Sequence, residues 1–169
     1  ALSSAASDVY KRQETDKALQ HKWFAGQMDI ARELKLPIAI HSRDAAQDTI
    51  QIMRASRAEE IGGVIHCYSY SKESARDFLN MGFYFGIGGV VTFKNAKKLK
   101  EAVAYIPLSN IVLETDAPYL TPEPFRGKRN DSSKLTYVAQ AIADIKHIPV
   151  DEVYAETWKN AHQMYKIQK

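Results

Sequence analysis

From residue 14 onward, short apolar runs alternate with amphipathic stretches. Leu19, Trp23, Ile30 and Leu34, with Phe24, Met28 and Ala31, recur at roughly helical spacing, which predicts a helix over about residues 16–36 that Pro37 ends. Four strands are predicted, at residues 37–41 (PIAIH), 63–68 (GVIHCY), 83–88 (FYFGIG) and 110–116 (NIVLETD). Three of them are nearly continuous in Ile, Val and Leu, as strands buried on both faces should be. Between them the chain reads as helices: residues 45–55, a segment capped by Ser71 that ends before Gly82, and a lysine-rich segment capped by Asn95 that reaches Tyr105. Two more follow, at residues 134–147 and 151–167, with Pro149 breaking between them.

Strand, helix and strand repeating at about 25 residues is the βαβ pattern of a parallel sheet, so the class is α/β. Four such units form either a small doubly wound sheet or half of a (β/α)8 barrel, a fold that typically takes about 250 residues. Length alone leaves the two open.

The 169 residues, 45% apolar and 25% charged, are enough for one domain with a buried core. A single cysteine, Cys67, excludes an internal disulfide framework and fits a reducing compartment. No run approaches the roughly 18 to 20 apolar residues of a membrane span, and no secretion signal opens the chain; the reading is a cytoplasmic protein without membrane partners. The net charge of +3 does not by itself make a nucleic-acid binder, so only local clusters would. Residues 1–13, ALSSAASDVYKRQ, have no clear period and read as a non-native, adapter-like leader, with residues 14–169 as the domain proper.

The polar residues bear on the choice of fold. His41, His66 and Asp116 each stand at the C-terminal end of a predicted strand, the catalytic end of a barrel. Glu114, two residues before Asp116, is expected to share its face, giving two carboxylates beside two imidazoles. That donor set suits zinc, manganese or magnesium, and the lack of a CxxC pair speaks against a thiolate site. A bound divalent ion would activate water, and Asp116 is the candidate to take its proton. Against this stands the ordinary role of a strand-end histidine as a hydrogen-bonded core residue. His21, His147 and His162, on or at the ends of helices, read as surface or packing residues.

Four stretches then carry a specific resemblance: PIAIHSRDA (37–45), GGVIHCYS (62–69), YFGIGGVVTFKNAKKL (84–99) and VLETDAPYLTPEPFRGKRN (112–130). In this order they resemble successive signatures of the TatD family of metal-dependent deoxyribonucleases. The resemblance implies a TIM-barrel hydrolase using two divalent ions, with His41 and His66 as ligands, Asp116 as ligand and proton acceptor, and Glu114 in the same site. The family's opening HxH pair and its bridging glutamate in a GEIGLD-like segment have no counterpart in this sequence. By that resemblance the chain is a C-terminal part only, holding the fifth to eighth barrel strands, and is expected to be inactive alone. Tyr70 stands where the family typically has glycine, a departure expected to alter the mouth of the site and not its metal.

For DNA as substrate, Lys94, Lys97, Lys98 and Lys100 cluster near one strand end, and Arg126, Lys128 and Arg129 in the loop after the last. Arg126 is the first choice for a phosphate contact, although runs of this kind usually form a solvated face. Gly88 and Gly89 would let backbone N–H groups approach an anion, or else form a turn with positive φ. Phe93, Tyr119 and Phe125 would stack on bases or simply pack. Cys67 reads as a structural thiol facing the helix layer. Two other functions stay open: an amidohydrolase-type enzyme acting on an ester, amide or phosphotriester, and a non-catalytic half-barrel that self-associates through exposed sheet edges.

Overall fold

The computed structural model describes residues 2–4 and 16–167. Its five strands are β1 (Leu2–Ser4), β2 (Ile38–His41), β3 (Gly63–His66), β4 (Tyr84–Ile87) and β5 (Ile111–Leu113). They lie side by side in chain order, every neighbouring pair parallel. The helices are α1 (Lys17–Leu34), α2 (Ala46–Ala55), α3 (Lys72–Asn80), α4 (Lys97–Tyr105), α5 (Leu135–Lys146) and α6 (Val150–Tyr165). The expected α/β class with a parallel sheet is what forms. Of the stretch read as a leader, residues 2–4 pair with β2, Leu2 opposite Ile38; the rest of that stretch lies outside the described residues.

The Asp16 carboxylate starts α1 by accepting the N–H groups of Ala18 and Leu19, and Lys35 closes it at φ 55°. Only one of its apolar stripes is buried, through Phe24, Met28 and Ala31; Leu19, Trp23, Ile30 and Leu34 are exposed, Trp23 at 62%. At about 3.6 residues per turn the two stripes point roughly a third of a turn apart, and the core takes one of them. Asn95 does not cap α4. The Ala96 N–H donates to Phe93 O at 3.2 Å, closing a turn through Asn95, and the helix starts at Lys97. No helix among the described residues is long and apolar enough to cross a membrane.

One sheet face and the helices share the main core, in which Ile38, Ile40, Ile65, Phe85, Ile87 and Ile111 meet Phe24, Met28, Phe78, Val103 and Ile142. The strand positions that alternate with those, Ala39, Val64, Tyr84 and Val112, gather with Met164 of α6. Asn160 anchors α6 there, its Nδ2 donating to Leu108 O and Ile111 O at 2.8 Å each. This helix therefore sits at the N-terminal end of the strands. Two residues further along the same face come His41, His66, Gly86 and, just past β5, Glu114.

Candidate metal centre and basic loop

His41 and His66 end adjacent strands in register, with ring centroids 5.9 Å apart. The last ladder contact of β5 is the Glu114 N–H to Ile87 O at 3.1 Å, so Glu114 leaves the sheet with its side chain still on the face of the histidines. Its carboxylate is used twice. Oε2 lies 2.8 Å from His66 Nδ1, and Oε1 accepts the Cys67 N–H at 2.6 Å. Cys67 stands at φ 50°, a left-handed backbone unusual for a side chain with a Cβ. Gly86 makes room for this carboxylate: a Cβ there would come within 2.0 Å of Glu114 Oε2. The bond to Glu114 raises the His66 pKa above its ordinary 6.5 against the opposing effect of burial, and the charges of Glu114 and Asp116 add to it.

Glu114 and Asp116 do not point the same way through strand alternation, as the expected strand to residue 116 would require. β5 ends at Leu113 and Asp116 adopts φ 53°, which swings its carboxylate to the other nitrogen of the same ring: Oδ1 is 3.4 Å from His66 Nε2. The imidazole is thus held between two carboxylates with different tasks. Glu114 fixes the tautomer and orientation from behind, an arrangement widespread behind metal-ligating histidines, while Nε2 and Asp116 face one another. The donor chemistry of His41, His66 and Asp116, two imidazoles and a carboxylate, is of the kind that fits a divalent ion. Among the described residues no group of three or more His, Cys, Asp or Glu side chains is already gathered closely enough to hold one. Burial pushes the Cys67 thiol up to about 12, away from the thiolate that a nucleophile needs.

The loop after β5 is stapled by buried Asn130, whose Nδ2 donates to Thr115 O and Tyr119 O at 2.7 Å each. Phe93, Tyr119, Arg126, Lys128 and Arg129 line a cavity of about 470 Å³ there, together with residues 118, 120, 121 and 127. The Arg126 guanidinium lies over the Phe93 ring at 4.0 Å, and Tyr119 is 71% exposed. Phe125 is occupied by Tyr137 and Lys134 and packs instead of offering a free face. Lys94 is exposed but does not line this cavity, and Lys100 lines a different one with Glu123 and Asp144. Gly88 and Gly89 do not form the expected turn with positive φ. Neither has positive φ, and Cβ atoms on them would approach Glu114 O at 3.3 Å and Leu120 O at 2.0 Å, so their small size lets β4 and the following turn sit against the basic loop. Gly86, whose task the sequence reading missed, follows β-alternation in FYFGIG but shows its purpose only through a neighbour 28 residues away.

The family model described as TatD related DNase matches residues 6–166. The chain belongs to this family. The expectation that the chain is a C-terminal part only is not borne out, since the family match takes in residues 6–166. Among similar proteins are the uncharacterized metal-dependent hydrolase YabD of Bacillus subtilis, 45% identical over 94% of this chain and 62% of that protein, and YcfH of Escherichia coli K12, with the same description, 39% identical over 99% and 63%. The chain thus spans a little under two thirds of the length of these TatD-family relatives. Among solved structures, YJJV, a TatD homolog from Escherichia coli K12, matches with TM-score 0.89 at 24% identity, over 99% of this chain and 63% of that one. A TatD-family hydrolase from Entamoeba histolytica matches with TM-score 0.79 at 23% identity, over 92% and 60%. Both likenesses concern the fold.

Proposed function

We propose that the chain serves in metal-dependent hydrolysis of phosphodiester bonds in DNA, with β2 to β5 as strands of a (β/α)8 barrel. The observation that carries this is the His66 imidazole set between Glu114 and Asp116, beside a loop bearing Arg126, Lys128 and Arg129. His41, His66 and Asp116 would hold magnesium, manganese or zinc. When bound, such an ion lowers the pKa of a water and polarises a phosphoryl oxygen. Asp116 accepts the water's proton, Glu114 keeps His66 oriented, the loop cations neutralise phosphates, and Tyr119 offers a ring to a base. Three donors are few for two ions, so turnover by this chain alone is expected to be slight beside that of a full-length relative.

The test incubates labelled single-stranded and duplex DNA with the chain and with a full-length relative, in Mg2+, Mn2+ or Zn2+, and measures metal binding to the chain and to its His66→Ala variant by calorimetry. Metal binding lost in the variant, with DNA cleavage by the relative, is the expected result. Hydrolysis of carboxyl esters without any cleavage of DNA would shift the reaction to another amidohydrolase type. A non-catalytic, self-associating role is favoured by one observation, the exposed stripe Leu19, Trp23, Ile30 and Leu34. Light scattering that finds a stable monomer removes it.

A further inference from the structure

The turn between β2 and α2 carries Ser42, Arg43, Asp44 and Ala45 directly after His41, and no side-chain cap closes it onto α2. Asp44 sits at φ 54°, and Ala45, the N-cap of α2, offers no side-chain cap. The missing support comes from the neighbouring loop after β3. The Tyr70 hydroxyl accepts the Ala45 N–H at 3.2 Å and lies 2.8 Å from Ser42 Oγ, which in turn is 2.8 Å from Thr49 Oγ1 inside α2. Ser42 is 5% exposed and Thr49 1%, so two of the three connected hydroxyls are buried, and Tyr70, half-buried, links them to the Ala45 N–H. Its geometry brackets the left-handed Asp44 on both sides. Accepting the N-cap N–H from outside the helix is the task that a capping box performs from within it. The Tyr70 ring is itself held edge-on to Tyr68 at 5.9 Å.

We propose that Tyr70 is a positioning residue that clamps the β2–α2 turn so that Arg43 is presented at the mouth of the site as a contact for an anionic substrate. The substrate half of this rests on the phosphodiester reading; the clamp does not. Arg43 is exposed, two residues beyond His41. A guanidinium is the side chain best suited to planar, bidentate recognition of phosphate, provided that its backbone is fixed. Glycine at position 70 would leave Ser42 and the Ala45 N–H without this partner.

The experiment compares the 15N-labelled chain with its Tyr70→Phe variant, which removes one oxygen and keeps the ring. Amide exchange reads the clamp, and inorganic phosphate titrated against the Arg43 Nε–H resonance reads the positioning. Exchange at Ala45 is expected to rise about tenfold in the variant, the loss of one ordinary hydrogen bond. Phosphate binding at Arg43 is expected to weaken by roughly threefold or more. Unchanged exchange overturns the clamp. Faster exchange with unchanged phosphate titration, or with none in either protein, overturns the positioning role. Neither readout needs metal or turnover, so failure of the nuclease reading would show separately, as absence of metal binding or DNA cleavage.

Discussion

Glu114 reaches His66 Nδ1 with one oxygen, at 2.8 Å, and the backbone N–H next to that histidine with the other, at 2.6 Å. With both oxygens in use it would act on a bound metal through His66, not by direct ligation. Glu114→Gln keeps the shape and replaces one acceptor by a donor that meets either the imidazole or the Cys67 N–H unfavourably. Metal affinity measured by calorimetry is expected to fall by about 10- to 100-fold, the range for orienting partners of ligating histidines. Asp116→Asn, which removes a proposed ligand, is expected to cost more. Equal affinity for wild type and Glu114→Gln would show that His66 needs no support.

The same contact sets a pH dependence in the metal-free chain. The His66 pKa is raised, chiefly by the bond to Glu114. A raised folded-state value means that the charged imidazole contributes stability present in full below about 6.5, its unfolded value, and lost as pH rises through the folded one. The midpoint of His66, followed by NMR at its ring carbons, is expected above 6.5. In Glu114→Gln it should move down, since burial then acts with less opposition. The gap in melting temperature between the two proteins should narrow as pH rises. Protons compete with metal at the same nitrogens, so metal affinity should fall on acidification.

Gly86 offers a sharper test, because its effect runs through a single side-chain group, the Glu114 carboxylate. A methyl group there would stand within 2.0 Å of Glu114 Oε2, so the carboxylate must leave His66 or β4 must shift. Gly86→Ala is expected to destabilise the fold by roughly 1 to 3 kcal/mol, as overpacking does, measured by urea unfolding. It should also lower the His66 midpoint as Glu114→Gln does. A destabilised variant with an unmoved His66 midpoint would mean that the strand, and not the carboxylate, gives way.

How much of this was legible depended on whether a position obeys a period. The strands at Ile38, Gly63, Tyr84 and Ile111 stand out as short apolar runs at a regular spacing and α1 by its helical spacing, so all were readable within a few residues. His41 and His66 could be placed because each ends a strand. Asp116 lies three residues beyond the last strand residue, where left-handed backbone breaks the alternation on which its direction was argued. The apolar positions of α1 gave the helix but not which stripe is covered, since Trp23 and Phe24 are equally apolar and only the packing partner separates them. Tyr70 stood out as a departure, while its partners Ser42 and Ala45 lie 28 and 25 residues away and show only in three dimensions.

The basic loop depends on one buried side chain. Asn130 is 2% exposed and its amide closes the loop at two carbonyls, Thr115 O and Tyr119 O, one on each side of residues 116–118. Asn130→Ala leaves both carbonyls without that donor in a buried place, at a cost of about 1 to 3 kcal/mol. Its effect should reach function, because the same loop turns Asp116 toward His66 and carries Tyr119, Arg126, Lys128 and Arg129 around one cavity. Binding of a short labelled oligonucleotide is expected to weaken and to lose salt dependence as the cations cease to converge on the same phosphates. Arg126→Ala provides the comparison. It removes one cation, stacked 4.0 Å over Phe93, and leaves the staple, so its salt slope should drop by about one phosphate contact with stability near that of wild type. Equal slopes for wild type and both variants would place the nucleic-acid contact away from this loop.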